Sequence, residues 1–508
     1  MIKEQPFWPG MNEEMSDEKL NILIVSAEVA PFAKTGGLAD VAGALPRALA
    51  ALGHDVRVLM PCFRQVTQGP WDLKLAKGGL QLEGAGLPDD MPRSFQLRQS
   101  VLPGSEIPVY FIDQPQYFDR EKLYGDEGGD FRDNGDRFVF FARAALAACK
   151  SLAFLPDVIH LNDWHTGFLP VYLKTTFRDD AFYKRISTLF TVHNLAYQGL
   201  FPDWQFGRTG LDWSLYTPES MEFYGQLNTM KGALLFADKI NTVSPRYAEE
   251  IKTPEFGCGL EGVLRDRSAD VSGIINGLDI QEWDPQADKF LSTNYGADSL
   301  EKKAQVKRDL KKELGLPDDD VPLVAMVTRL DNMKGLSLVE EITDYIMHMD
   351  LQFILLGTGE PRFEDFFQRL ADTYPEKAAV RLKFDNGLAH RFEAAADIFL
   401  MPSRFEPCGL NQLISLRYGT VPVVRAVGGL ADTVQEFDPK TGKGNGFVFH
   451  EYSSMGLFNA LKRALEVHRN QAQWRQLQRQ GMAADFSWSA SARKYEALYR
   501  ELAAKKKA

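Results

Sequence analysis

Short apolar runs recur along the chain, and each empties into a loop rich in glycine or polar side chains. Ile22–Ser26, Val56–Pro61, Val109–Ile112, Val158–Leu161, Leu189–Val192 and Ser272–Asn276 make a first series, and Leu323–Thr328, Phe353–Leu356, Ile398–Leu400 and Val421–Val424 a second. Continuous apolar runs of this length predict strands buried on both faces, as in a parallel sheet. Helical spacing fills several of the gaps, over Leu38–Leu52, Asp136–Leu152 and Leu410–Arg417. The last helix, Trp488–Leu502, carries Tyr495, Leu498, Tyr499 and Leu502 on one face, as if docked on a domain, before a basic tail at Lys505–Lys507. Strands alternating with helices predict an α/β fold whose functional side chains gather at the carboxyl ends of the strands.

Five residues occur twice. Gly36-Gly37-Leu38-Ala39-Asp40 is echoed by Gly428-Gly429-Leu430-Ala431-Asp432, and each copy follows an apolar run and precedes helix-compatible sequence. Two glycine turns of one type predict two doubly wound halves facing each other across a cleft. A chain of 508 residues exceeds a single core, in agreement. The expected division is a disordered leader over 1–19, a first Rossmann-like domain over 20–280, a linker over 281–299 rich in Asp, Pro and Asn, a second such domain over 300–484, and a final helix over 485–508 that crosses back to the first.

A net charge of −11 argues against general nucleic-acid binding, which leaves a basic footprint. The four cysteines, Cys62, Cys149, Cys258 and Cys408, are scattered without a C-x-x-C pair, which fits a reducing, cytoplasmic setting and excludes an obvious zinc site. No apolar run reaches membrane-spanning length. The first residues are polar and acidic, unlike a signal or transit peptide. Asp318-Asp319-Asp320 reads as a solvated turn, and no metal or cofactor is expected.

Candidate chemistry sits at the strand ends. Lys34 stands beside Gly36 and Gly37, either as a surface lysine or as a cation aimed into the cleft; the spacing is not G-x-G-x-x-G. Asn162-Asp163-Trp164-His165 follows one strand, and His193-Asn194 another. In the second half Arg329 and Lys334 share one strand-end loop, the setting of a diphosphate clamp. Phe384 ends a short β-type run, where it could stack on a base or, by default, pack in the core. The loop from Met401 carries Arg404, Glu406, Pro407, Cys408, Gly409 and Leu410 ahead of a helix. Glu406 either caps that helix or serves sugar hydroxyls or a developing positive charge.

The chain resembles the bacterial glycogen synthases and plant starch synthases that use ADP-glucose, glycosyltransferase family 5, from Asn21 to the C-terminal helix. Lys34-Thr35-Gly36-Gly37-Leu38, Asp163-Trp164-His165, Thr191-Val192-His193-Asn194, Asn276-Gly277-Leu278-Asp279, Lys334-Gly335, Ser403 to Leu410 and Gly428-Gly429-Leu430 carry the resemblance. It implies the GT-B fold, two Rossmann-like domains with a deep cleft. It also implies a retaining transfer of glucose from ADP-glucose to the non-reducing end of an α-1,4-glucan such as glycogen, on one face and without a carboxylate nucleophile. Glu406, Arg329, Lys334, His193 and Asp163 would be catalytic. Lys34, Gly36, Gly37, Asp40, Asn276, Phe384, Cys408, Gly409 and Leu410 would bind substrate. The stretch between Thr175 and Ser187 departs from the family by its length and is expected on the surface, touching the glucan. The alternatives are an α-glucan phosphorylase, a UDP-glucose enzyme of the same fold, and a non-catalytic glucan-binding protein.

Overall fold

A computed structural model describes residues 18–507, so the expected leader lies almost wholly outside the described residues. The first series of apolar runs forms a nine-stranded sheet whose strands, read across, begin at Val271, Lys239, Ser187, Val158, Asn21, Asp55, Pro108, Ser94 and Lys74. Pairing is parallel as far as Pro108 and antiparallel over the last two strands. The second series forms a six-stranded parallel sheet with strands beginning at Ala378, Gln352, Leu323, Ile398, Val421 and Phe447. In each sheet the first strand of the series is central, Asn21–Val25 in one and Leu323–Val327 in the other, and the chain reverses its direction of travel beside it. The loops at the carboxyl ends there border a crevice, where ligands of such sheets bind.

The strands form because both faces are covered. Ile22, Leu23, Ile24 and Val25 are buried, and each face of the second sheet has an apolar core of its own. The strand expected over Ser272–Asn276 is shorter, Val271–Gly273, because its neighbour Lys239–Thr242 ends there. Several strands have no apolar signature and were not expected. They include the polar edge strand Lys74–Gln81 and a small antiparallel sheet of Leu200–Pro202, Gln226–Asn228 and Glu222–Phe223.

The Asp- and Pro-rich stretch after Gln281 packs on the second lobe. Trp283 stacks flat on His390 with ring centroids 3.8 Å apart, and the Asp288 carboxylate meets His390 at 2.8 Å and the Tyr418 hydroxyl at 2.6 Å. The chain returns near residue 486, where the Leu278 N–H donates to the Phe486 carbonyl at 2.7 Å, so the two crossings between lobes run side by side. The helix Trp488–Lys507 then lies on the first lobe, with Tyr499 OH 2.7 Å from His160 Nδ1 and Ser187 Oγ donating to the Leu502 carbonyl at 2.9 Å. The segment between Thr175 and Ser187 exposes Arg178 and Asp179 but buries Phe177 and Tyr183, and it feeds the amino end of Ser187–Val192, away from the strand ends that carry the polar clusters.

Candidate active site

Two loops meet where the second sheet reverses direction. One leaves Leu323–Val327 and carries Arg329 and Lys334, and the other leaves Ile398–Met401 and carries Ser403 and Glu406. Gly335 joins them closely. Its φ is +71° and a Cβ there would lie 1.9 Å from the Pro402 carbonyl oxygen, so no side chain fits. The Lys334 ammonium donates to Glu406 Oε2 at 2.6 Å, and Ser403 Oγ donates to the same oxygen at 3.0 Å. A partly buried ammonium and carboxylate so close make a charge-assisted hydrogen bond.

A cavity of about 310 Å³ opens beside this pair, bordered by Thr328, Arg329, Phe384, Ser403, Leu410 and Asn411. Arg329 stands at its rim with its side chain 72 % exposed, 3.5 Å from Asp331. Phe384 is not at a strand end and not in the core. The strand Ala378–Arg381 stops earlier, and Phe384 is 90 % exposed on the loop that follows, at the border of the cavity. Asn411 Nδ2 donates to the Val327 carbonyl at 2.6 Å and ties the start of the short helix Asn411–Arg417 to the central strand. Gly409 has φ +72°, and the Cys408 and Gly409 carbonyls accept from Gln412 Nε2 at 3.0 and 3.1 Å.

The first lobe contributes the other strand-end clusters. Asp163 adopts φ 54°, uncommon for a residue with a side chain, and its Oδ1 accepts the His193 N–H at 2.8 Å. Burial pushes the Asp163 carboxyl up to about 7, against the pull of the His193 and Asn194 backbone N–H groups. His193 Nε2 lies 2.9 Å from Asn162 Oδ1, and burial of the ring pushes its pKa down to about 3, which keeps it neutral. His165 is held down to about 3 in the same way, stacked on Trp164 at 4.0 Å.

The loop with Lys34, Gly36 and Gly37 is organised by a residue that sequence reasoning missed. Buried Glu28 accepts from Thr35 N at 2.5 Å, Thr35 Oγ1 at 2.6 Å, Gly36 N at 3.2 Å and Tyr124 OH at 2.9 Å. A carboxylate two residues beyond an apolar run was the available signal. Lys34 pairs with Asp40 at 2.6 Å, so two expected substrate-binding residues meet each other on an exposed surface. Asn276 comes against Cys408: its backbone N–H points to that sulfur, and burial pushes the thiol up to about 12. The Asn276 Oδ1 is buried without a hydrogen-bond partner among the described residues.

Direct contacts join the lobes here. Phe405, adjacent to Glu406, packs edge-on against Tyr247 at 5.5 Å and stacks on Phe256 at 6.3 Å. The Tyr247 hydroxyl in turn accepts the Leu195 N–H at 3.1 Å, two residues past His193. Glu250 accepts the Gly428 N–H at 3.0 Å, and Asp432 accepts the Arg246 N–H at 2.8 Å. Lys334 and Glu406 therefore meet at the wall of the cavity, Arg329 lines it as well, and the His193 loop reaches their neighbourhood through Tyr247 and Phe405.

Residues 21–266 match the family model of the starch synthase catalytic domain, and residues 306–480 match that of glycosyl transferases group 1. The chain is similar to a glycogen synthase of Moorella thermoacetica, 50% identical over 97% of this chain and 99% of that one. It is similar as well to one of Anaeromyxobacter sp., 49% identical over 96% of this chain and 100% of that one. Among solved structures, the catalytic domain of starch synthase IV from Arabidopsis thaliana, bound to ADP and acarbose, is 33% identical over 96% of this chain and 100% of that one, with a TM-score of 0.85. A sucrose-phosphate synthase from Thermosynechococcus elongatus, 20% identical with a TM-score of 0.57, shares the fold.

Proposed function

The chain belongs to the glycogen and starch synthases, GT-B glucosyltransferases, and from that premise we propose that it moves glucose from ADP-glucose to the non-reducing end of an α-1,4-glucan such as glycogen, with retention. The observation that carries this reading is the Lys334–Glu406 pair at 2.6 Å, set in the cavity where the second sheet reverses direction.

Breaking the anomeric bond puts negative charge on the departing diphosphate and positive charge on the sugar ring. Lys334 and Arg329 supply cations for the first, and Glu406 supplies a carboxylate for glucose hydroxyls and the second. Each cation is held by a chain carboxylate, Lys334 by Glu406 and Arg329 by Asp331, and an incoming diphosphate would compete for both. Phe384, exposed beside the cavity, offers a face to adenine. Backbone amides around Gly37 and Cys408–Leu410 approach phosphate or glucose. Asp163, His193 and Asn276 line the glucose and acceptor side, where neutral His193 acts as a hydrogen-bond partner rather than as a cation. Retention without a carboxylate nucleophile leaves the departing phosphate to take the acceptor's proton. Excluding water between the lobes would suppress hydrolysis. The scattered cysteines support a cytoplasmic setting.

The test is transfer of radiolabelled glucose to glycogen from ADP-glucose and, separately, from UDP-glucose. Label is expected in α-1,4-linked chains, with kcat/KM for ADP-glucose at least about tenfold higher. Preference for UDP-glucose would overturn the donor, and no transfer from either would overturn the reaction.

A further inference from the structure

Tyr224 stands at the tip of a hairpin in a conformation that tyrosine ordinarily avoids. The hairpin joins Glu222–Phe223 to Gln226–Asn228, and its two turn residues have φ 51° at Tyr224 and 78° at Gly225. Both signs are those of a turn that normally selects Asn, Asp or Gly at its first position. A bulky side chain there costs stability, of the kind tolerated where function requires the residue. The ring does no packing work that repays this. It is 85 % exposed and touches Phe223 edge-on at 4.7 Å.

The stem beneath it is fixed. The Lys231 ammonium is buried and donates to the carbonyls of Pro218 and Glu222, the Gly225 N–H donates to Glu222 Oε1 at 2.6 Å, and Asn228 caps the helix Thr229–Phe236. Exposed Trp204 leaves the same end of the small sheet, because Pro202 pairs with Gln226. The tip also adjoins the loop that packs on the carboxylate-bearing segment. A Cβ at Gly259 would lie 2.8 Å from the Phe223 ring and 3.7 Å from that of Tyr224, while Phe256 of the same loop stacks on Phe405, next to Glu406. Three residues of backbone, at most about 11 Å, separate Phe256 from Gly259.

We infer that Tyr224 is an acceptor-binding platform: its exposed ring takes the apolar face of a glucose unit of the α-1,4-glucan a few units away from the end that receives glucose. The inference rests on the function proposed above, which requires a glucan to leave the cleft past some part of the first lobe. Pyranose rings carry flat C–H faces that pair with aromatic rings, and a rigidly held ring loses little entropy on binding.

The test compares wild type, Tyr224→Gly and Tyr224→Phe, with maltoheptaose as acceptor. Tyr224→Gly keeps the turn and removes the ring, so it is expected to melt no lower than wild type. Its KM for maltoheptaose should rise about tenfold, as when an exposed aromatic anchor is truncated, with the KM for ADP-glucose unchanged. Tyr224→Phe should restore the wild-type acceptor KM. A second readout uses Cys258, the exposed cysteine beside Gly259. Maltoheptaose should slow its alkylation by iodoacetamide in wild type and lose that effect in Tyr224→Gly. An acceptor KM in Tyr224→Gly within about twofold of wild type, or undiminished protection of Cys258, overturns the platform. Wild type that transfers nothing from ADP-glucose overturns the proposed reaction instead, and the Cys258 readout then still decides whether Tyr224 binds glucan.

Discussion

The sequence Gly-Gly-Leu-Ala-Asp occurs at 36–40 and again at 428–432, and the copies serve their lobes in different ways. In the first copy the glycines face open space: a Cβ at Gly36 or Gly37 meets no atom within 4 Å. In the second, a Cβ at Gly428 would lie 2.0 Å from the Glu406 carbonyl oxygen and one at Gly429 1.9 Å from that of Cys408. The first copy opens a helix of 15 residues, the second one of 6. Asp40 pairs with Lys34 at the surface, whereas Asp432 accepts a backbone N–H from the opposite lobe. The second copy is thus a buttress that lets the Glu406 loop sit close. The first has small residues with no packing reason for them among the described residues, which leaves room for the approach of phosphate or glucose proposed above. Identical words in a sequence do not fix the turn, since Gly36 is extended at φ −151° and Gly428 left-handed at φ +45°, and the neighbours decide what each copy packs on.

The comparison can be tested most severely at the residue the second copy supports. Glu406→Ala should lower turnover at least about 10³-fold while circular dichroism stays that of a folded protein; wild-type turnover would remove Glu406 from the site. Gly429→Ala should cost about 3 kcal/mol in urea unfolding, because the Cys408 carbonyl has to move, and turnover should fall with it. An unchanged midpoint would deny the buttress. Gly36→Ala should do the reverse, staying within about 1 kcal/mol of wild type in stability while the KM for ADP-glucose rises. If it destabilises as Gly429→Ala does, the two copies do the same work.

The smallest effect concerns the last residue of the second copy. Burial raises the Asp432 pKa, so the folded state holds its proton more tightly than the unfolded state does. Its contribution is therefore greatest at low pH and is lost as pH rises from about 3.9 through the raised value. Relative to Asp432→Asn, wild type should lose stability on going from pH 4 to pH 7, by about 1 kcal/mol or less. A difference that is flat or of opposite sign would show that Asp432 is not penalised by burial.

Much of this arrangement was legible beforehand because buried parallel strands have a plain apolar signature. Every run from Ile22 to Val424 named as a strand became one, within a few residues. The strands of the small sheet were not legible, since two or three residues hold no periodicity and the hairpin is fixed by Lys231 and Asn228 through backbone groups. The strand-end rule placed Lys334 and Glu406 each in a loop at a strand's carboxyl end but could not foresee their direct pairing, which goes with Gly335 packing under Pro402. Phe384 was misplaced because the strand before it stops at Arg381. Glu28 escaped notice because its partners, two loop N–H groups and the hydroxyls of Thr35 and Tyr124, form no sequence motif. The stretch after Gln281 looked like spacer by composition, yet Trp283 and Asp288 anchor it to His390 and Tyr418.

The paired crossings between the lobes carry a mechanical consequence. Two backbone segments joined by the hydrogen bond from Leu278 to Phe486 form a ribbon, and a ribbon folds about one line far more readily than it shears or twists. Any turning of one lobe against the other would therefore run about that line, with Glu406 on one side of it and His193 on the other.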